Sequence, residues 1–157
     1  MAKKIAPALF HLYLAGKFPH LFKIIAFSRR NISLEEYKEH VRNILLASGD
    51  KRIKKEKIEI FLNFFEYQKG EFDNANSYET LAKYLGWVDG EWMACSNKLF
   101  YLAVPPSNYE TIFKNLKTSG LTLPCGPDEG WTRVIVEKPF GKNAKTAQEL
   151  DILLGEL

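Results

Sequence analysis

Three short polar segments, each following an apolar run, contain the residues best suited to chemistry. They are Ser28-Arg29-Arg30, Pro105-Pro106 and Glu137-Lys138-Pro139-Phe140-Gly141. Ligands of an open α/β sheet bind beyond the carboxyl ends of its strands. Cationic side chains at such positions can hold phosphate groups. The sequence therefore predicts a ligand site made from the ends of several strands.

Arg29 lies at the end of the first of these apolar runs, residues 23–27. A guanidinium there can hold the adenosine 2′-phosphate that distinguishes NADP from NAD, because its N–H donors match phosphate oxygens. The acidic residue typical of NAD-binding strands is missing at this strand end. The alternative interpretation of Arg29 is a solvated loop cation that binds nothing.

Lys138 lies between an apolar strand and a proline that restricts the lysine backbone to extended conformations. That placement directs the lysine to the crest of the sheet, and the alternative is an ordinary exposed lysine. The Pro105-Pro106 pair also fits a simple strand stop, because proline cannot continue a ladder of hydrogen bonds. The residues alone leave these alternatives open.

Helices and strands alternate along the chain, and this order predicts how the polar segments are positioned. The predicted strands are residues 23–27, a segment ending near 70–73, residues 98–104 and residues 131–137. Three of the predicted helices are residues 3–14, a segment from a Ser33/Glu36 capping box to Leu45, and residues 54–64. The other three are a segment capped by Ser77 that ends at Leu85, a helix that begins with a Ser107/Glu110 capping box, and a helix capped by Asn143. Apolar strands that alternate with amphipathic helices predict an α/β fold, a Rossmann-like and mostly parallel sheet with helices on both faces.

One part of the expected fold is missing from the sequence. A dinucleotide-binding fold opens with a strand and a Gly-rich turn before its first helix, whereas this chain starts at that helix. Neither G-x-G-x-x-G nor G-x-x-x-x-G-K-[ST] occurs in it. We therefore expect a domain that lacks its first strand, which in a Rossmann order lies between the first apolar strand and the Phe100 strand.

The composition excludes several classes of protein. A length of 157 residues with 46% hydrophobic residues fits one globular domain. Cys95 and Cys125 are too few for a disulfide framework and lie in no zinc-binding motif. No apolar stretch reaches the roughly 18–20 residues of a membrane span, so we expect a cytoplasmic protein that binds no membrane and no metal. The basic run at residues 51–57 predicts a solvated helix face rather than a nucleic-acid site.

Several blocks of the sequence resemble glucose-6-phosphate 1-dehydrogenases, and they occur in the right order. Residues 133–141, RVIVEKPFG, resemble the EKPFG signature of this family. The other blocks are NKLFYLAVPPS at residues 97–107, KKIAP at residues 3–7, and GEFD at residues 70–73 with the following Ser77-Tyr78 pair. The chain is identified as a member of that family. The resemblance predicts a partial NADP-binding domain over residues 1–157, without the substrate and dimerisation domain that follows in the family.

The resemblance implies NADP as coenzyme and a set of residues that contact it. The family transfers a hydride from C1 of glucose 6-phosphate to NADP, in the oxidative pentose phosphate pathway. Its coenzyme-binding residues correspond to Arg29 at the 2′-phosphate, Gly70 and Glu71 near the adenine, Ala103 and Pro105 beside the nicotinamide half, and Lys138.

The resemblance also implies where glucose 6-phosphate would bind. Lys138 reaches the substrate as well as the nicotinamide, and Lys4 on the first helix lies near the substrate phosphate. The Lys138–Pro139 peptide bond can be cis in this family. The full-length family forms oligomers, and the resemblance does not extend that property to this chain.

Two family motifs are absent from the sequence. The G-x-x-G-D-L turn, which presents backbone N–H groups to the pyrophosphate, is missing. The R-I-D-H-Y-L-G-K-E stretch with the catalytic histidine is missing too, and His11, His20 and His40 cannot replace it. We therefore expect no catalytic residue in this chain, no turnover by it alone, and weak NADP binding. The alternative is a non-catalytic remnant that binds a nucleotide or a partner protein.

Overall fold

The computed structural model describes residues 2–48, 54–126, 129–141 and 143–155, and side chains from Lys4 onward. The chain divides into two compact units, Met1–Lys69 and Gly70–Leu157. Each unit has a pair of parallel strands. The described residues thus form an α/β protein with parallel strand pairing, and this confirms the predicted fold class.

The first unit packs three helices with a parallel strand pair. Its elements are α1 (Ala2–Leu14), β1 (Ile24–Ser28), α2 (Leu34–Ala47), α3 (Lys55–Leu62) and β2 (Phe65–Lys69). Strand β1 pairs with β2 from Ile24 opposite Phe65 to Ser28 opposite Lys69. The core of this unit is rich in phenylalanine, and Phe10, Phe61 and Phe65 are almost completely buried. Burial of these rings supplies much of the apolar contact between helices and strands.

The second unit places a long helix before another parallel pair. Its elements are α4 (Ala75–Trp92), β3 (Lys98–Leu102), a short 3₁₀ turn (Pro106–Asn108), α5 (Tyr109–Thr118), β4 (Thr132–Val136) and α6 (Ala144–Gly155). Strand β3 pairs with β4 from Lys98 opposite Thr132 to Leu102 opposite Val136.

One face of the β3–β4 pair is partly buried against the core of this unit, and the other is more exposed. Val134 and Val136 pack against a core made by Tyr109 and Phe113 of α5 and Leu150 of α6. On the opposite face, Leu99 and Ile135 are 55% and 42% exposed.

Two of the predicted helix caps are confirmed. Glu36 N donates to Ser33 Oγ at 3.1 Å, and Ser33 N donates to Glu36 Oε2 at 2.7 Å, which completes the capping box of α2. At the start of α6, Thr146 N donates to Asn143 Oδ1 at 2.9 Å. Both side chains satisfy amide groups that have no partner inside the helix.

The other two predicted caps are wrong. Helix α4 begins at Ala75 and is capped by Asn74, whose side chain accepts from Asn76 N. Ser77 lies inside the helix, where its hydroxyl accepts from Glu71 N at 3.1 Å. Ser107 lies within the 3₁₀ turn that runs into α5, and no side-chain bond caps α5. A helix cap requires extended backbone, and a residue inside a turn cannot supply it.

The described residues bear on three other kinds of site: a nucleic-acid surface, a membrane span and a metal centre. Residues 51–53 of the basic run lie outside the described residues, whereas Lys54, Lys55 and Lys57 are exposed at the start of α3. None of the described helices has the length and apolar character needed to cross a membrane. Among the described residues, metal-binding side chains do not gather in groups of three or more.

Asp89 connects the end of α4 to the start of β3. Its Oδ1 accepts from Ser96 N at 3.1 Å, and Lys98 Nζ lies 3.3 Å from its Oδ2. Burial raises the pKa of the Asp89 carboxyl, but the hydrogen bonds from Ser96 and Lys98 outweigh burial and hold that pKa below its usual value of 3.8. The carboxylate form is therefore stabilised by folding.

We expect the Asp89→Asn variant to lose stability in a pH-dependent way. A lowered pKa in the folded state stabilises the protein above the usual pKa, and this stabilisation is lost as the pH falls through the folded pKa. At pH 7 the variant should be less stable by about 1–2 kcal/mol, and the deficit should shrink as the pH falls below about 4. Urea unfolding followed by tryptophan fluorescence at several pH values measures this. A deficit that stays constant with pH would contradict the assignment.

Candidate functional site

Arg29 follows directly after the last residue of β1, and its side chain is exposed. The backbone around it is held by both strands of the pair. Tyr67 of β2 donates its hydroxyl to the Arg30 carbonyl at 2.7 Å, and Arg30 N donates to Ser28 Oγ at 3.4 Å. The strand pair thus fixes the backbone of this segment, and the Arg29 side chain extends from it at the protein surface.

Lys138 lies two residues beyond the end of β4, and its side chain is exposed. The Lys138–Pro139 peptide bond is cis, as the resemblance allows. The segment is anchored through the preceding residue. Tyr101 donates its hydroxyl to Glu137 Oε1 at 2.7 Å, and Tyr109 donates its hydroxyl to the Glu137 carbonyl at 3.2 Å.

Both tyrosines remain neutral donors at physiological pH. The hydrogen bond to the Glu137 carboxylate raises the pKa of Tyr101 above its usual value of 10.0. Burial raises the pKa of Tyr109, and the negative charge of Glu137 adds to this effect. Two donors on different elements, β3 and α5, therefore hold one residue next to Lys138.

Ala103 and Pro105 lie at the same edge of the sheet as Lys138. Leu102 pairs with Val136, so the residues that follow β3 and those that follow β4 leave the sheet side by side. Ala103 is half-buried, and Pro105 is exposed where it begins the 3₁₀ turn. The structure therefore brings together three of the predicted site residues, Ala103, Pro105 and Lys138, at the carboxyl ends of β3 and β4.

Gly70 and Glu71 precede α4 in the second unit. Gly70 is buried and Glu71 is exposed. The segment is tied down at the Phe72 carbonyl, which accepts from the Tyr78 hydroxyl at 2.9 Å and from Asn115 Nδ2 at 3.0 Å. Burial raises the pKa of Tyr78 to about 12, so this hydroxyl also stays a donor. The segment is well fixed, and its position near an adenine stays a prediction.

Lys4 lies on α1, exposed, in the first unit with Arg29. The three histidines do not follow any strand: His11 is on α1, His20 precedes β1, and His40 is exposed on α2. The expectation that none of them is catalytic stays a prediction.

Tyr101 and Tyr109 were not predicted as supports for the Glu137-Lys138 segment. A signal was available for Tyr101. Its register partner is Ile135, and Glu137 is two residues further on the same face, within reach of a tyrosine side chain. Reading that signal requires the β3–β4 register, which a single sequence does not contain.

The chain is an α/β protein whose parallel strands are followed by exposed cationic side chains, an arrangement in which this class of fold binds nucleotides. Comparison with known proteins identifies the family. Residues 1–157 match the family described as "Glucose-6-phosphate dehydrogenase, NAD binding domain". The chain belongs to the glucose-6-phosphate dehydrogenase family, and the predicted coenzyme, NADP, is confirmed at the level of that family.

Similar proteins come from fungi, plants and bacteria. The chain is 35% identical over 156 residues to glucose-6-phosphate 1-dehydrogenase of Schizosaccharomyces pombe, covering 99% of this chain and 30% of that protein. It is 38% identical over 149 residues to the chloroplastic enzyme 3 of Arabidopsis thaliana, covering 94% of this chain and 24% of that protein. The cytoplasmic enzyme 6 of the same plant is 35% identical over 159 residues, 99% of this chain and 30% of its own length.

Solved structures give the same result. A glucose-6-phosphate dehydrogenase in complex with its substrate glucose 6-phosphate superposes with a TM-score of 0.82 at 35% identity, over 99% of this chain and 31% of that chain. The enzyme from Mycobacterium avium also gives a TM-score of 0.82, at 26% identity, over 99% of this chain and 31% of that chain. The chain thus spans a third or less of the length of these relatives.

Proposed function

We propose that this chain is the coenzyme-binding part of a glucose-6-phosphate dehydrogenase and binds NADP at the carboxyl ends of its strands. The observation that carries the proposal is the position of the EKPFG segment. It leaves β4 beside the end of β3, with Lys138 exposed and the preceding residue fixed by two tyrosine hydroxyls. When bound, NADP accepts the hydride that leaves C1 of glucose 6-phosphate.

Arg29 is proposed to bind the 2′-phosphate of NADP. The exposed guanidinium follows a parallel strand, where the adenosine ribose of a dinucleotide lies in this class of fold. A guanidinium can donate two parallel hydrogen bonds to phosphate oxygens, and each charge-assisted bond is stronger than a neutral one. The donor set therefore fits the doubly charged phosphate that NAD lacks.

Lys138 is proposed to orient the nicotinamide end and the sugar phosphate. Its ammonium can donate to oxygens of both, and the Tyr101 and Tyr109 bonds to Glu137 limit the motion of the backbone that carries it. Ala103 and Pro105 would line the same end of the site. Lys4 is proposed to lie near the substrate phosphate, and Gly70 and Glu71 near the adenine.

We further propose that the 157-residue polypeptide by itself does not oxidise glucose 6-phosphate. The sequence contains neither the family's pyrophosphate-binding turn nor the histidine stretch that supplies the base for the C1 hydroxyl proton. NADPH formation by the purified chain, lost in a Lys138→Ala variant, would contradict this statement.

The Arg29→Ala variant tests the coenzyme assignment. We expect the affinity for NADP to fall by about tenfold or more, because one or two charge-assisted hydrogen bonds are lost, while the affinity for NAD stays the same. Calorimetric titration of the chain with each coenzyme measures the ratio. The matched control is Arg30→Ala, which removes the neighbouring exposed guanidinium and should leave both affinities nearly unchanged.

The exposed face of β3–β4 favours a second candidate function, a non-catalytic module that binds a partner protein. Leu99 and Ile135 are apolar side chains of the kind that interfaces bury. Equal affinity for NAD and NADP in the wild-type chain, unchanged by Arg29→Ala, would favour this module over the coenzyme proposal. The cytoplasmic location stays a prediction, because relatives occur in more than one compartment.

A further inference from the structure

The two cysteines of the chain lie in the second unit, at the amino ends of β3 and β4. The coenzyme proposal uses only the carboxyl ends of these strands. Cys95 precedes β3, and Cys125 lies in the loop before β4. The Asp89 carboxylate connects the two segments. Its Oδ1 accepts from Ser96 N at 3.1 Å, and its Oδ2 lies 3.9 Å from Cys125 Sγ, within the range of a thiol hydrogen bond.

The loop before β4 folds back onto the Cys95 segment. Gly126 and Glu129 form an isolated antiparallel bridge, which reverses the chain direction directly after Cys125. Gly130 then packs on the segment so closely that a Cβ there would lie 3.6 Å from Cys95 Cβ and 3.2 Å from the Ser96 carbonyl. Both ends of this loop, Cys125 and Gly130, therefore lie close to the Cys95 segment.

Both cysteines are reduced, and the Asp89 carboxylate holds Cys125 Sγ near Ser96, the residue that follows Cys95. The contact with Cys125 raises the pKa of Cys95 to about 12, and partial burial and the Glu129 carboxylate act in the same direction. Cys95 therefore reacts slowly at neutral pH as a first nucleophile, because the thiolate is the reactive form. Cys125 is the exposed member of the pair and is reached first by a reagent in solution.

We propose that Cys95 and Cys125 are a modification site that forms a reversible intramolecular disulfide on reaction with a small-molecule disulfide such as oxidised glutathione. The pair lies at the amino ends of β3 and β4, so the bond would link the two segments that lead into the strand pair. This inference does not depend on the proposed coenzyme binding.

The reaction is two successive thiol–disulfide exchanges. The Cys125 thiolate attacks one sulfur of oxidised glutathione, which forms a mixed disulfide on Cys125 and releases one glutathione thiolate that takes up a proton. Cys95 then loses its proton and attacks the Cys125 sulfur, which breaks the mixed disulfide and releases the second glutathione. The two protein thiols lose two electrons in total, and the oxidised glutathione gains them.

Intact-mass measurement after incubation of the folded chain with oxidised glutathione tests the proposal. The wild-type chain should lose the mass of two hydrogen atoms and both reactive thiols, without a glutathione adduct. Reduction with dithiothreitol should restore the starting mass. In Cys95→Ser the second exchange is impossible, so the chain should accumulate one glutathione adduct on Cys125.

A matched control moves one cysteine by two residues. Leu123→Cys combined with Cys125→Ser keeps two cysteines and a similar loop length, and the Leu123 side chain is 66% exposed and packs near Gly120. The ratio of internal disulfide to glutathione adduct should be at least about tenfold higher in the wild type, because Asp89 already holds its two cysteine segments together. Two glutathione adducts on the wild type, an intermolecular disulfide, or equal ratios in the two proteins would overturn the proposal.

Discussion

Replacing Gly141 with alanine is expected to lower the free energy of unfolding by about 3–5 kcal/mol. Gly141 ends the EKPFG segment with a φ of +83°, in the left-handed region that side chains rarely adopt. A Cβ at this position would lie 2.5 Å from Ala147 N and 2.8 Å from Ala147 Cα, both backbone atoms in the first turn of α6. Helix backbone cannot move aside cheaply, so the whole start of α6 would have to shift.

Urea unfolding followed by tryptophan fluorescence measures this effect, since Trp87, Trp92 and Trp131 all lie in residues 70–157. The matched control is Gly120→Ala in the same unit. Gly120 has a similar φ of +74°, but its added Cβ would meet only the flexible Leu123 side chain at 3.7 Å. The control should therefore cost only about 1–2 kcal/mol. If the two variants were equally stable, the close contact with Ala147 would carry no energetic weight.

Replacing Phe61 with alanine is expected to destabilise the first unit by about 3–5 kcal/mol. The Phe61 ring is completely buried and contacts three other aromatic rings. The centroids of Phe10, Tyr13 and Phe65 lie 5.1, 5.2 and 5.1 Å from its own. Alanine would remove the apolar burial and leave a cavity between α1, α3 and β2.

Far-UV circular dichroism during urea unfolding is the suitable measurement, because residues 1–69 contain no tryptophan. Ile60→Ala serves as the control on the same helix. The Ile60 side chain is 47% exposed, so its loss should cost less than about 1 kcal/mol. A Phe61→Ala chain that unfolds at the wild-type urea concentration would refute the role given to this ring.

The helices and strands could be predicted largely because their signals are local. Residues 23–27 were expected as a strand, and β1 is Ile24–Ser28. The Ser33/Glu36 capping box needs only two residues three positions apart, and it occurs as predicted. Both Asn74 and Ser77 are residue types that can cap the start of α4. The periodicity of apolar residues does not show that Asn74 is the cap. The separation of the chain into two units depends on long-range contacts, which leave no periodic trace in the sequence.

The positions of Arg29 and Lys138 could be predicted because a residue that follows a parallel strand emerges at its carboxyl end. The hydrogen bonds that fix the backbone around these two residues could not be predicted. The hydroxyls of Tyr101 and Tyr109 reach Glu137 only because β3 and β4 pair in one particular register and α5 packs beneath them. The hydrogen bonds of Asp89 likewise join residues from a helix end, a strand start and a loop.

Each described strand has hydrogen-bonded neighbours on one side only, because β1 pairs with β2 and β3 with β4. All four strands are therefore edge strands, each with one row of backbone groups outside the ladders of the described residues. Such rows readily pair with strands of other molecules. The exposed apolar side chains of Leu99 and Ile135 on the β3–β4 pair favour this pairing as well. Concentrated solutions of the isolated polypeptide should consequently self-associate through added strands, and soluble stocks are best kept dilute.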